Sequence, residues 1–187
     1  QRDGDDAFGR LLLDMWRREG VDAATVTTDR GSSTGAYFIT LGTQGHEFSY
    51  LRAGSAASRM TAESLPVDAI RSARVLHVSG ISQAISPSAA DAVFAAIAVA
   101  REAGVLVSYD TNLRLKLWPL DRARAIIGAA MRSADIALPG LDDARVLTGL
   151  DDPDRIADHY LSGGSRIVAM TLGIIAILEA PLRKDED

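Results

Sequence analysis

From Val75 to Thr171 the sequence alternates between short runs of β-formers and stretches of helical length, and this alternation constrains the fold more than any other feature. Val75-Leu76-His77-Val78 predicts a buried strand. Ser86-Pro87 then supplies an N-cap with proline at the first helical position. The alanine-rich helix it opens runs to about Glu102 and closes at Gly104. Val105 to Tyr109 is the next strand, which completes a βαβ unit with a right-handed crossover. The pattern continues with a helix over 120–132, a strand at Ile136-Ala137-Leu138 and helices around 142–148 and 152–161. A strand over 166–171 follows, and one more near 174–178. Strands alternating with helices imply an α/β fold with a mostly parallel sheet covered on both faces.

Upstream the character differs. Asp3-Gly4-Asp5-Asp6 reads as a helix start, with carboxylates at the positive end of the dipole. Phe8, Leu11, Leu12, Met15 and Trp16 recur at helical spacing as one apolar stripe, and Gly20 ends the helix. Ala36 to Leu41 and His46 to Arg52 are β-rich runs about a glycine-bearing turn, hence a hairpin. Its second strand puts Phe48, Tyr50 and Arg52 on one face. A lone hairpin is marginally stable, so it must pack on the remainder of the fold or on a partner chain.

Composition excludes several classes. Hydrophobic residues make up 47% of the 187, enough for a core. A net charge of −5 argues against nucleic-acid binding, which favours a basic face. There is no cysteine, so disulfides and thiolate metal sites are out, and the three histidines have no metal-ligand spacing. No apolar run reaches the ~18–20 residues of a membrane helix, and the polar opening is no signal peptide. A soluble, cytoplasmic protein is expected.

In open parallel sheets ligands bind beyond the carboxyl ends of the strands. Here those positions hold Ser79-Gly80-Ile81, Asp110-Thr111-Asn112-Leu113-Arg114, Pro139-Gly140-Leu141-Asp142-Asp143 and Thr171-Leu172-Gly173. Together they outline a polar crevice. Each also has a plainer reading: Asp110 and Asn112 as turn caps, Arg114 as a solvated arginine, Asp142 and Asp143 as helix N-terminal charges. Tyr50 and Arg52 can equally be ordinary strand-surface residues. No G-x-G-x-x-G follows an early strand, which disfavours a Rossmann-type dehydrogenase.

In combination the motifs resemble a known family. Gly4-Asp5-Asp6-Ala7-Phe8-Gly9 resembles the GDDxFG signature of ribokinase-like (PfkB) sugar kinases. The hairpin with Tyr50-Leu51-Arg52-Ala53-Gly54-Ser55-Ala56-Ala57 is similar to the lid and Y-x-R-x-GSAA stretch of 2-keto-3-deoxygluconate kinases. Asp110 to Arg114 with Leu117-Trp118 resembles the D-x-N-x-R…LW segment of those kinases and of fructokinases. Leu141-Asp142-Asp143-Ala144-Arg145 with Leu147-Thr148-Gly149, and then Thr171-Leu172-Gly173, follow in the family's order.

The resemblance implies a ribokinase-like body over 1–34 and 54–187 with a β-hairpin lid over 35–53. It implies ATP and Mg2+ as cofactors and phosphorylation of a sugar acid, for which this motif set points to 2-keto-3-deoxygluconate, at its 6-position. Tyr50, Arg52, Ile81 and Arg114 would bind the substrate. Asn112, Thr171 and Gly173 would lie towards the nucleotide phosphates, and Asp143 towards magnesium through water. Two arginines would suit bidentate carboxylate recognition. A neutral-sugar kinase of fructokinase or ribokinase type, or a non-catalytic sugar- or nucleotide-binding relative, are the alternatives. The lid's apolar residues imply a homo-oligomer joined through it. The family's first strand should precede Gln1 and its GAGD motif, with the catalytic aspartate, should follow Gly173. Neither occurs in this sequence, so no catalytic residue is assigned, and the chain as written is expected to be incomplete at both ends and to turn over little or nothing.

Overall fold

The segment read as a helix start begins instead as a strand. Arg2–Gly4 (β1) pairs in parallel with Thr27–Asp29 (β2), and helix Ala7–Arg18 (α1) lies between them in sequence. The computed structural model describes residues 1–42, 45–172 and 177–180, with 42, 45–48 and 177–180 described as backbone alone. Asp6 caps α1: one carboxylate oxygen accepts from Gly9 N at 2.9 Å and the other from Thr34 N at 2.7 Å. These bonds, the Thr34 amide foremost, hold the Asp6 carboxyl below the ordinary carboxylate range. A Cβ on Gly9 would stand 2.2 Å from the Gly4 carbonyl, so only glycine allows α1 to begin against β1. The apolar stripe of α1 is less covered than expected. Phe8, Leu11 and Met15 are exposed, while Leu12 and Trp16 are half-buried. Helical period decides which residues share a face, and says nothing of what covers that face.

The hairpin forms as expected, Ala36–Gly42 (β3) antiparallel to Gly45–Leu51 (β4), in a sheet of its own. Its register sets Tyr37 opposite Tyr50 and Ile39 opposite Phe48. A short helix, Val67–Ser72 (α2), precedes the main sheet.

The main sheet has five strands in the order β5-β6-β7-β8-β9: Val75–Ser79, Leu106–Asp110, Ile136–Leu138, Ile167–Thr171 and Ile177–Ala180. The first four are parallel and β9 is antiparallel to β8. Between them run Gly80–Ala84 (α3), Pro87–Glu102 (α4), Leu120–Met131 (α5), Leu141–Thr148 (α6) and Pro153–Ser162 (α7). Ser86 caps α4, its hydroxyl accepting from Ala89 N at 3.0 Å. Of the strand expected over 174–178, positions 174–176 lie outside the described residues.

The expectation of a buried strand at Val75–Val78 holds only at Val78. Val75 is 44% exposed and only Val78 is buried, because β5 is the edge of the described sheet. The core sits one strand further in. Val107 and Tyr109 of β6, Ala137 of β7 and Val168 and Met170 of β8 are all at 0% exposure. Ala89, Ala92, Ala96 and Ala100 give α4 a small-residue stripe that lets it lie close to this sheet. Each large aliphatic so buried contributes about 1.5–3 kcal/mol, and that stack fixes where the strand ends stand.

Candidate functional site

At the end of β6 the chain must turn without losing its backbone hydrogen bonds, and the carboxylates nearby take that task. Asp110 accepts from Asn112 N at 3.2 Å, and Ser79 at the end of β5 donates to its other oxygen at 3.4 Å. Asn112 adopts φ +34°, a left-handed conformation that asparagine tolerates better than most residues. Thr111 is fully buried. Its hydroxyl donates to Asp143 Oδ2 at 3.5 Å and stands 3.4 Å from Gly140 N. Leu113 N donates to the same Oδ2 at 2.8 Å, so Asp143, in the first turn of α6, pins the loop after β6. Burial raises the Asp143 carboxyl above its ordinary value, and the Asp110 charge adds to this. The Leu113 amide and the Arg114 cation oppose the shift. Gly80 closes the arrangement from the β5 side, since a Cβ there would lie 2.2 Å from the Thr111 carbonyl.

A cavity of about 260 Å³ lies on the hairpin side of α3. Thr34, Gly35 and Tyr37 enter its wall from before and within β3, Arg52 and Ser55 from after β4, Ile81 and Ser82 from α3, and Asp3 from β1. The Arg52 guanidinium stands 5.5 Å from the Tyr37 ring centre and 5.3 Å from that of Tyr50. Two cation–π contacts orient it without neutralising it. Lys116 Nζ lies 6.0 Å from the Tyr50 ring, which brings the loop after β6 up to the hairpin.

These features sit in a chain whose whole length can be compared with known proteins. The pattern of the pfkB family carbohydrate kinases matches residues 3–174. The chain belongs to the pfkB family of carbohydrate kinases. Within this PfkB chain the five-stranded α/β unit is the ribokinase-like fold. The crystal structure of a PfkB protein from Polaromonas sp. JS666 superposes with a TM-score of 0.90 at 35% identity, covering 96% of this chain and 62% of that one. Fructokinase-2 of Solanum lycopersicum is 40% identical over 91% of this chain and 52% of its own length. The 2-dehydro-3-deoxygluconokinase of Bacillus subtilis (strain 168) is 35% identical over 91% of this chain and 53% of its own. The chain thus spans about half the length of the curated relatives it matches.

Of the residues singled out in this PfkB sequence, Arg52 and Ile81 meet in the cavity wall, and Tyr50 stands against Arg52 from outside the lining. Arg114 is exposed, donates to the Leu113 carbonyl at 2.8 Å and does not line the cavity that holds Arg52. Asn112 and Asp143 share the strand-end cluster. Thr171 ends β8, is exposed, and donates its N–H to the Pro139 carbonyl at 3.0 Å. Gly173 lies outside the described residues. Among the described residues no three His, Cys, Asp or Glu side chains gather into a metal-binding cluster. No described helix is long and apolar enough to cross a membrane. Sequence reasoning missed Tyr37, Lys116 and Asp3. Tyr37 was within reach, because the strand register of the hairpin sets it opposite Tyr50. Lys116 and Asp3 carry no local signal, since only tertiary packing brings them to the hairpin.

Proposed function

We propose that the protein transfers the γ-phosphoryl group of ATP to a small sugar acid, 2-keto-3-deoxygluconate, at its 6-hydroxyl. The observation that carries this reading is Arg52, a permanent cation held against two neighbouring tyrosine rings at the wall of a sugar-sized cavity. A guanidinium matches a carboxylate in shape and charge, and a neutral sugar makes no use of that charge. Lys116, whose Nζ stands 6.0 Å from the Tyr50 ring, adds positive charge beside the hairpin. The second reading is a kinase of a neutral sugar such as fructose, favoured by the 40% identity to a fructokinase.

PfkB kinases bind ATP. The strand-end cluster presents Asn112 and Thr171 towards its phosphates in this reading. Magnesium binds through one or two carboxylates and keeps several waters. Asp143 and Asp110 fit that demand, with Asp143 Oδ2 already engaged by Leu113 N–H. When bound, the ion supplies neutralisation of phosphate charge, the main requirement of phosphoryl transfer along with positioning. The protein's own share is to hold the acid end of the substrate at Arg52 and to exclude water beneath the hairpin. No residue of this sequence is assigned the base that accepts the hydroxyl proton. The reading places the protein in the cytoplasm, with the hairpin joining two copies.

The test is a coupled ADP-release assay on the full-length gene product, with 2-keto-3-deoxygluconate, gluconate, fructose and ribose. The expected result is a strong preference for the keto-deoxy acid, which Arg52→Ala lowers about 100-fold in kcat/KM while neutral sugars change little. Preference for fructose would discard the sugar acid and keep the kinase. Absence of turnover on every sugar would discard the kinase.

A further inference from the structure

The cavity beneath the hairpin contains a charge that neither the fold nor the chemistry above employs. Asp3 is 2% exposed in the middle of β1. Its Oδ1 accepts from Gln1 Nε2 at 2.9 Å, but its Oδ2 is shut from solvent and has no hydrogen-bond partner. The adjacent cation does not serve it: Arg2 points to the other side of the strand and pairs with Asp29 at 2.9 Å. An ionised oxygen removed from water without a donor is costly, and such groups are retained where a donor arrives. Asp3 lines the same cavity as Arg52, so the donor can arrive with the ligand.

We propose that Asp3 is a specificity-determining residue, its carboxylate accepting a hydrogen bond from a hydroxyl of the sugar substrate in this cavity. The proposal rests on the kinase reading and deepens it. The cavity then presents one buried acceptor and one cationic donor, and a polyhydroxylated acid satisfies both. A hydroxyl that pairs with a buried acceptor is discriminated far more sharply than an apolar group, because the analogue without it leaves the acceptor unpaired. Asp3 therefore selects among sugars by hydroxyl pattern, while Arg52 selects by charge.

The experiment uses the full-length protein, its best sugar, and that sugar's deoxy analogues, with Asp3→Asn and Asp3→Val. The expected result is a sugar KM raised about 10-fold in Asp3→Asn and further in Asp3→Val, with the ATP KM unchanged. One deoxy analogue, poor for the wild type, loses nothing more in Asp3→Val, and that identifies the hydroxyl. Thermal unfolding of both variants is expected to match the wild type or exceed it, because an unpaired buried charge has been removed. A sugar KM within twofold of wild type in both variants overturns the proposal and leaves water as the partner of Oδ2. Parallel rises in sugar and ATP KM, or failure of both variants to fold, overturn it in favour of a structural role. Wild-type protein that phosphorylates no sugar overturns the kinase reading and this proposal together, whereas active wild type with unaffected variants overturns this one alone.

Discussion

The loop after β6 and the hairpin β3–β4 approach each other where Lys116 meets the Tyr50 ring, yet they are held in opposite ways. The loop is fixed from beneath: Thr111 is fully buried, Leu113 N is tied to Asp143, and Gly80 lets α3 press against the Thr111 carbonyl. The hairpin has a sheet of its own, and Tyr37, Phe38, Ile39, Leu41 and Leu51 are all exposed. Rigid support suits groups that position phosphates, since transfer depends on placement. A ribbon tied mainly to itself suits a part that must open and close over a substrate.

Gly80→Ala gives the largest expected effect. The new Cβ would meet the Thr111 carbonyl at 2.2 Å and Ile127 Cδ1 at 3.2 Å, and a backbone neighbour cannot yield cheaply. Loss of about 3 kcal/mol is expected, read by denaturant unfolding. A variant as stable as the wild type would show that the loop is not rigidly backed, and the contrast with the hairpin would fall.

Asp143→Asn separates support from chemistry. The Asp143 carboxyl is raised above its ordinary value, chiefly by burial, so the folded state holds the proton more tightly than the unfolded chain. That contribution is fully present below the ordinary value of 3.8 and is lost as pH rises through the raised one; at neutral pH the ionised group is a cost. Asparagine keeps an acceptor for Leu113 N–H without the charge. Stability at pH 7 is expected to equal or slightly exceed wild type, the gap closing as pH falls from the raised value towards 3.8. Turnover is expected to fall about tenfold or more, through the weakened hold on magnesium. If stability and turnover fell together, Asp143 would serve the loop alone.

The sequence reveals these two regions unequally, for physical reasons. Ser86-Pro87, the alanine spacing of α4 and the β-rich runs at 105–109 and 166–171 are local signals, and the elements appear within a residue or two of expectation. The strand-end cluster was legible because the fold's topology dictates where strand ends converge. What local signal cannot supply is coverage. The α1 stripe predicts a buried face, yet Phe8, Leu11 and Met15 are exposed; Val75 reads as core, yet occupies a sheet edge. Asp3 reads as a helix-start charge, yet β1 pairs with β2, 25 residues on in register, and carries the carboxylate into a cavity wall.

Leu51→Asp should have the smallest effect on the folded monomer and the sharpest on assembly. Register puts Leu51 and Phe38 on one face of the ribbon and Tyr37, Tyr50 and Arg52 on the other. The second face borders the cavity through Tyr37 and Arg52. The first has no such task, although Leu51 is 63% exposed and Phe38 49%. A two-stranded ribbon gains little stability alone, and the proposal that the hairpin joins two copies would cover the exposed apolar side chains of its idle face. Replacing Leu51 by aspartate removes no buried contact, so unfolding free energy of the monomer should change by less than about 0.5 kcal/mol. Light scattering of the full-length protein at micromolar concentration should show a dimer for wild type and a monomer for the variant. A wild-type monomer would end the idea that the hairpin joins two copies, and would leave the contrast between a supported loop and a self-supported ribbon standing on the cavity face alone.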